Sequence, residues 1–249
     1  MNWRHPGRLG AALYALAAAA LGGVVTIVAR LQVAGVRGRA EAVRRLPDGP
    51  VIVISNHTSY ADGVLLALVC RRLGRSARLL ATAGVFRAPL LGGVIRRLGF
   101  IPVERESERA ADALEPAVQA LAAGEAVALF PEGRVTRHPD HWPERAKTGA
   151  VRLALRTGAP IVPVALVGAH RVVGRSKFVR GLISSVLLRP KVHSAVGQPI
   201  DVRALLPGDA TPDEIRRVTD LVMEQLIDLV EHLRGETAPS PSGVPRQHD

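Results

Sequence analysis

A histidine and an aspartate stand five positions apart in the run Asn56-His57-Thr58-Ser59-Tyr60-Ala61-Asp62. Imidazole exchanges protons near neutral pH, and a carboxylate on one ring nitrogen fixes the tautomer that leaves the other nitrogen basic. His57 and Asp62 therefore suit a general base and its orienting acid, two parts of a triad. The third part is missing: no G-x-S-x-G elbow occurs, and the single cysteine, Cys70, falls in the helix-like run Gly63 to Arg72. Such a base has to activate a hydroxyl of the substrate itself. The bland alternative for the same spacing is a surface histidine with Asp62 capping a helix.

Position favours chemistry. The apolar run Val51 to Ile54 reads as a buried strand, so the pair follows a strand's C-terminal end, where α/β folds assemble their sites. A second run, Ala126 to Phe130, breaks at Pro131-Glu132-Gly133 into a polar loop from Arg134 to Lys147. Between them Gly99-Phe100-Ile101-Pro102-Val103-Glu104-Arg105 is a short apolar run closing on an arginine. A parallel sheet would bring such strand ends to one edge.

With these segments in view, the chain resembles the glycerolipid acyltransferase family from about Val51 to Leu166. Asn56-His57 through Asp62 matches its N-H-x4-D block, Gly99 to Arg105 its G-x-I-x-x-x-R block, Phe130 to Gly133 its F-P-E-G block, and Ile161-Val162-Pro163-Val164-Ala165 its V-P-V-x block. The resemblance implies that His57 is the base and Asp62 its orienting acid. It implies a substrate-binding set of Asn56, Gly99, Arg105, Glu132, Gly133, Arg134, Arg137 and Lys147. The reaction implied is transfer of a fatty acyl group from acyl-CoA or acyl carrier protein to the hydroxyl of lysophosphatidic acid, giving phosphatidic acid. Another lysophospholipid or glycolipid acceptor, or a non-catalytic lipid-binding role, are the alternatives. One departure stands out. The family continues F-P-E-G with threonine and then arginine, whereas Arg134-Val135-Thr136-Arg137 follows here, so either Arg134 or Arg137 can fill the cationic position.

Acyl transfer to an alcohol needs a deprotonated hydroxyl, stabilisation of the tetrahedral oxyanion, and alignment of donor with acceptor. For the oxyanion, backbone N–H groups near Asn56-His57 or in the Pro131-Glu132-Gly133 turn are candidates. Glu132 is expected to hold the acceptor glycerol or the loop arginines, or to pair with Arg134. Arg105, Arg137 and Lys147, with the N–H groups opening the helix at Lys147-Thr148-Gly149, suit a phosphate. His138, Asp140 and His141 match no zinc spacing, and neither metal nor cofactor is expected beyond the acyl donor as co-substrate. His170 and His193 read as ordinary polar residues.

The net charge of +11 rests almost wholly on arginine, since the lysines are Lys147, Lys177 and Lys191. Excess positive charge favours anionic partners: an acidic phospholipid surface or phosphorylated substrates. Nucleic acid is excluded as the expected partner, because aromatics make up 3% of the residues and do not interleave with basic clusters. One cysteine rules out an intrachain disulfide framework and suits a reducing cytosol.

The elements that position this chemistry alternate along the chain. Strand-like segments at 51–54, 77–82, 100–104, 126–130 and 161–166 are separated by helix-like ones from Gly63, at 90–98, 110–123 and 148–156, and 186–196 offers a last strand. This pattern predicts an α/β fold, a largely parallel sheet flanked by helices. Thr211-Pro212-Asp213-Glu214 opens the final helix as a capping box and Gly235 ends it. Gly10 to Ala29 is uncharged over twenty residues between flanking arginines. At 1.5 Å per residue it matches a hydrocarbon layer of about 30 Å, predicting an N-terminal membrane-associated helix, spanning or interfacial, with the protein expected on the cytoplasmic face. A core helix and a cleaved signal peptide are the alternatives, and positive charge on both flanks leaves the orientation open. The expected organisation is a membrane-anchoring segment over 1–36, the acyltransferase-like domain over 37–235 and a disordered tail over 236–249.

Overall fold

The computed structural model describes residues 6–34, 43–87, 91–103, 114–172, 185, 187–206 and 208–239. Seven strands form one sheet: β1 (Arg30–Ala34), β2 (Val51–Ser55), β3 (Ala77–Thr82), β4 (Ile101–Val103), β5 (Ala126–Leu129), β6 (Ile161–Val167) and β7 (Lys191–Val196), in the order β1-β7-β6-β2-β5-β3-β4. All neighbours run parallel except β6 and β7. The largely parallel α/β sheet expected from the alternation of segments is present.

β2 lies inside the sheet between β5 and β6, and its side chains alternate between two cores. Ile52 and Ile54 join the core under α5 (Glu115–Ala122), α6 (Gly149–Thr157) and α8 (Pro212–Arg234). Val51 and Val53 join the opposite core under α2 (Asp62–Arg72). A strand covered on both faces has no polar side to show, which is why the run Val51 to Ile54 is unbroken. The same double burial makes β2 a rigid base for the loop that follows it.

Helix α8 carries the expected capping box: the Glu214 N–H donates to Thr211 Oγ1 at 3.3 Å and the Thr211 N–H donates to Glu214 Oε2 at 2.8 Å. Gly235 closes it in the left-handed conformation, φ 67°. Just beyond, Ala238 is buried and its N–H donates to Glu231 Oε1 at 2.7 Å, so the start of the expected tail lies against α8.

Two expectations need correction. The last strand begins at Lys191 rather than at 186, because Leu187 and Leu188 precede it in a helical turn. Within the stretch expected as the membrane-anchoring segment, 1–36, Arg30–Ala34 also pairs with β7 as an edge strand of the sheet. The helix itself, α1 (Gly7–Val28), lies along the domain. Tyr14 and Ala18 are buried with Leu68 of α2 and with Leu98, and the Tyr14 hydroxyl donates to the Ala77 carbonyl at 3.1 Å. Its other face exposes Leu9, Leu16, Val24 and Ile27.

Candidate active site

The loop after β2 is built on one carboxylate. Asp62 Oδ2 accepts the Thr58 N–H at 2.6 Å and the Ser59 N–H at 2.7 Å, and lies 3.0 Å from His57 Nδ1. An oxygen that already takes two N–H donors is an acceptor, so Nδ1 carries a proton towards it and Nε2 is left with its lone pair. Asp62 is fully buried, and burial pushes its carboxyl above the usual range while the imidazole and the two N–H groups pull it back. The imidazole is 18% exposed, and its ring stacks on Phe130 with centroids 4.1 Å apart.

A second carboxylate holds the histidine's main chain. Glu132 Oε1 accepts the His57 N–H at 2.9 Å, and Oε2 accepts the Glu144 N–H at 3.0 Å. The Thr136 N–H donates to the His57 carbonyl at 2.7 Å. His57 is thereby tied to the loop after β5 through both of its backbone groups. Glu132 is buried, which raises its carboxyl to about 7 against the pull of its two N–H partners. This corrects the expectation that Glu132 holds the acceptor, the loop arginines or Arg134: both oxygens serve the backbone, and Arg134 pairs instead with Glu144, through Nε at 3.2 Å and Nη2 at 3.0 Å.

The remaining expected site residues divide. Arg137 is exposed beside buried Thr136, and Lys147 is exposed with its stem against Gly133, where an added Cβ would lie 3.3 Å from Lys147 Cε. Gly133 also has φ +72°, so the turn needs glycine on two counts. The loop is thus brought to the His57 edge with Arg134, Arg137 and Lys147 on it. Gly99 is not placed as expected, and Asn56 has a structural partner. The Asn56 side chain is buried and donates to the Leu166 carbonyl while accepting the Leu166 N–H, each at 2.8 Å, extending the β2–β6 ladder. Gly99 precedes β4, so it stands at the strand end away from the site, at φ +74° against the Arg78 side chain. Arg105 lies outside the described residues.

Four of the expected backbone donors for an oxyanion are also committed. The N–H groups of His57, Thr58 and Ser59 go to carboxylates, and that of Gly133 to the Phe130 carbonyl at 3.0 Å. No protein nucleophile competes with a substrate hydroxyl in the loop. Ser59 Oγ accepts the Ala61 N–H at 3.0 Å, and Cys70 is buried, its thiol pushed up to about 12. Among the described residues no group of three or more His, Cys, Asp or Glu side chains is arranged to hold a metal.

This geometry has counterparts. The acyltransferase family profile matches residues 36–167, more than half of the chain and the stretch that carries both carboxylates and His57. The chain belongs to the acyltransferase family. A chloroplastic 1-acyl-sn-glycerol-3-phosphate acyltransferase of Arabidopsis thaliana is 30% identical over 166 residues, 65% of this chain and 44% of that protein. A 1-acyl-sn-glycerol-3-phosphate acyltransferase of Borreliella burgdorferi is 27% identical over 187 residues, 74% of this chain and 67% of its own length. The chain thus spans under half the length of its chloroplastic relatives. The crystal structure of the acyltransferase PlsC from Thermotoga maritima shares the fold, with a TM-score of 0.59 at 22% identity over 88% of this chain and 81% of that one.

Sequence reasoning missed several residues that shape this acyltransferase site. Thr136 was legible only as part of an altered motif, yet its hydroxyl donates to the Trp142 carbonyl at 2.8 Å and accepts the His138 N–H at 3.1 Å, fixing the loop. His170 and His193, read as ordinary, line a cavity beside Asn56 and Thr58 with His141. Nothing in the spacing of these histidines signals that they meet, because the antiparallel β6–β7 pairing brings them together.

Proposed function

We propose that the protein transfers a fatty acyl group from a thioester donor, acyl-CoA or acyl carrier protein, to the hydroxyl of lysophosphatidic acid, yielding phosphatidic acid. The observation that carries this reading is the His57 Nδ1 to Asp62 Oδ2 contact of 3.0 Å, with no protein nucleophile poised beside it. Nε2 takes the proton of the acceptor hydroxyl as its oxygen attacks the thioester carbonyl. The new C–O bond forms, the tetrahedral intermediate collapses with cleavage of the C–S bond, and the imidazolium returns the proton to the leaving thiolate. Asp62 stabilises the imidazolium while it lasts. The names of the Arabidopsis and Borreliella relatives support the acceptor.

The acceptor's phosphate suits the loop after β5. Arg134 is paired to Glu144, whereas Arg137 and Lys147 are exposed with no side-chain ion pair among the described residues. Arginine offers a bidentate fork and lysine a point charge, which together match a phosphomonoester.

A membrane surface is the proposed working environment. α1 is the one described helix long and apolar enough to cross a bilayer, over Gly7–Ile27. One face is buried on the domain and the other exposes leucine, valine and isoleucine, which favours lying in the interface over spanning it. Its C-terminal end leads into β1, whose first residue pairs with Lys191 at the edge where His57 sits. Leu187 and Leu188 are exposed beside it, and Arg189 donates to the Thr26 carbonyl at the end of the helix. An apolar rim next to the active edge would let a lipid acceptor enter from the membrane.

The deciding experiment assays the purified, detergent-solubilised protein with labelled acyl-CoA against lysophosphatidic acid, other lysophospholipids and a monoacylglycerol. Phosphatidic acid formation that is fastest with lysophosphatidic acid is expected. Preference for an acceptor without the phosphomonoester would reassign the head group, and absence of transfer to any acceptor would sink the reading.

A further inference from the structure

Beside the catalytic loop, on its β6–β7 side, lies a cavity of about 530 Å³ that the reaction described above leaves without an occupant. Its wall carries three cationic side chains, Arg171, Lys191 and Arg234, against two carboxylates, Asp140 and Glu236. Arg171 and Lys191 reach it with exposed side chains that have no charged partner among the described residues, and the imidazoles of His141, His170 and His193 complete it. Arg234 is also there, already paired with Glu236 at 2.9 Å, and Asp140 is the remaining acid. His141 holds φ +59°, unusual outside glycine, and its ring stacks on His170 with centroids 4.1 Å apart. The positive surroundings register on these rings: His170 is lowered to about 4, first by burial and then by His141, Arg171 and Arg234.

Thr58, next to His57 in the chain and 5% exposed, also lines this cavity, together with Asn56. The cavity reaches from β6 and β7 to the loop after β5, whose Pro139, Asp140 and His141 form part of its wall, whereas Arg137 and Lys147 of that loop are not among its lining residues.

We propose that this cavity receives the phosphate-bearing arm of the acyl donor, a phosphopantetheine thioester, with the acceptor's phosphate held outside it by Arg137 and Lys147. The proposal rests on the acyl-transfer reading and adds to it where the donor binds. In this placement the thioester lies at the end lined by Asn56 and Thr58, beside His57 in the chain, and the phosphates lie against Arg171 and Lys191. The acceptor's phosphomonoester stays with the β5 loop.

The test is calorimetric binding of CoA and of 4′-phosphopantetheine to the full-length, detergent-solubilised protein, wild type against Arg171→Ala and Lys191→Ala, alongside steady-state kinetics. Each variant is expected to weaken CoA binding and raise the acyl-CoA KM about tenfold or more, with the lysophosphatidic acid KM unmoved. A matching loss with 4′-phosphopantetheine assigns the cations to the pantetheine phosphate that CoA and carrier protein share; a loss with CoA alone assigns them to its nucleotide phosphates. Unchanged CoA binding in both variants, a wild type that binds neither ligand, or a rise in the acceptor KM instead would overturn the proposal. Binding needs no turnover, so the two readings fail separately. Normal CoA binding that these variants abolish, with no acyl transfer to any acceptor, would leave the pocket standing and remove the acceptor reading.

Discussion

Glu132 governs His57 through its main chain and never touches its ring: Oε1 takes the His57 N–H at 2.9 Å, while Oε2 takes the Glu144 N–H at 3.0 Å. The glutamate of the F-P-E-G motif thus clamps the histidine of the first motif, joining the ends of β2 and β5. Glu132→Gln keeps one acceptor for His57 but turns an NH2 towards the Glu144 N–H, a donor facing a donor. The expected result is a fall in kcat with little change in either KM, since substrate contacts are retained. A selective rise in acceptor KM would return Glu132 to a binding role.

The same residue makes a pH prediction. Burial raises the Glu132 carboxyl from its ordinary 4.5 to about 7 in the fold. Between those values the folded chain holds a proton that the unfolded chain has released, so this group's contribution to stability falls as pH rises through the window. The Tm advantage of wild type over Glu132→Gln should therefore shrink from pH 4.5 to pH 7 and level off above. A difference independent of pH across thermal scans would show that the carboxylate is ionised throughout.

Asp62→Asn tests the tautomer. The Thr58 and Ser59 N–H groups demand an acceptor, so the asparagine oxygen stays with them and the amide NH2 is left to face His57 Nδ1. A donor there places the ring proton on Nε2, where a base needs a lone pair. Turnover should fall by about 10²–10⁴ with acceptor KM nearly unchanged, as should that of His57→Ala. If either variant keeps a tenth of wild-type kcat, the base assignment fails.

How far these features could be read in advance follows from how local their causes are. The base and acid, the buried strand before them and the cap of α8 were legible because each depends on residues within a few positions. Gly99 was misplaced because a motif names residues without saying which are scaffold: it turns the chain before β4, at the strand end away from His57. β1 went unseen because Arg30–Ala34 reads as the basic flank of an apolar helix, and only its pairing with β7 makes it a strand. The histidine-lined cavity was likewise invisible, since β6 and β7 must pair before His170 and His193 share a wall with His141.

The proposed membrane attachment can be tested on the outer face of α1, where Leu16, Val24 and Ile27 are 68%, 52% and 58% exposed. Burying such a side chain in an apolar phase is worth about 1.5–3 kcal/mol, so Leu16→Glu with Ile27→Glu should reduce vesicle binding by a hundredfold or so. Leu187→Ser with Leu188→Ser should weaken it less. Flotation with anionic vesicles at low and high salt reads the effect. Binding that survives the double glutamate variant but is lost in salt would transfer the anchor to the arginines.

The two loop arginines should differ sharply. Arg134 is held by Glu144 through two hydrogen bonds, so moving it to a phosphate would break an existing ion pair. Arg137 follows Thr136, whose N–H is bonded to the His57 carbonyl, so its backbone is fixed relative to the base while its side chain stays exposed. A charge-assisted phosphate contact is worth about 1.5–3 kcal/mol, so Arg137→Ala should raise the lysophosphatidic acid KM about ten- to a hundredfold, and Lys147→Ala should act in the same direction. Arg134→Ala should have a smaller effect on that KM, and acyl-CoA KM should stay constant in all three. Kinetics with donor and acceptor varied separately decide the matter: a larger acceptor defect in Arg134→Ala would reverse the assignment and require Glu144 to release its partner on binding.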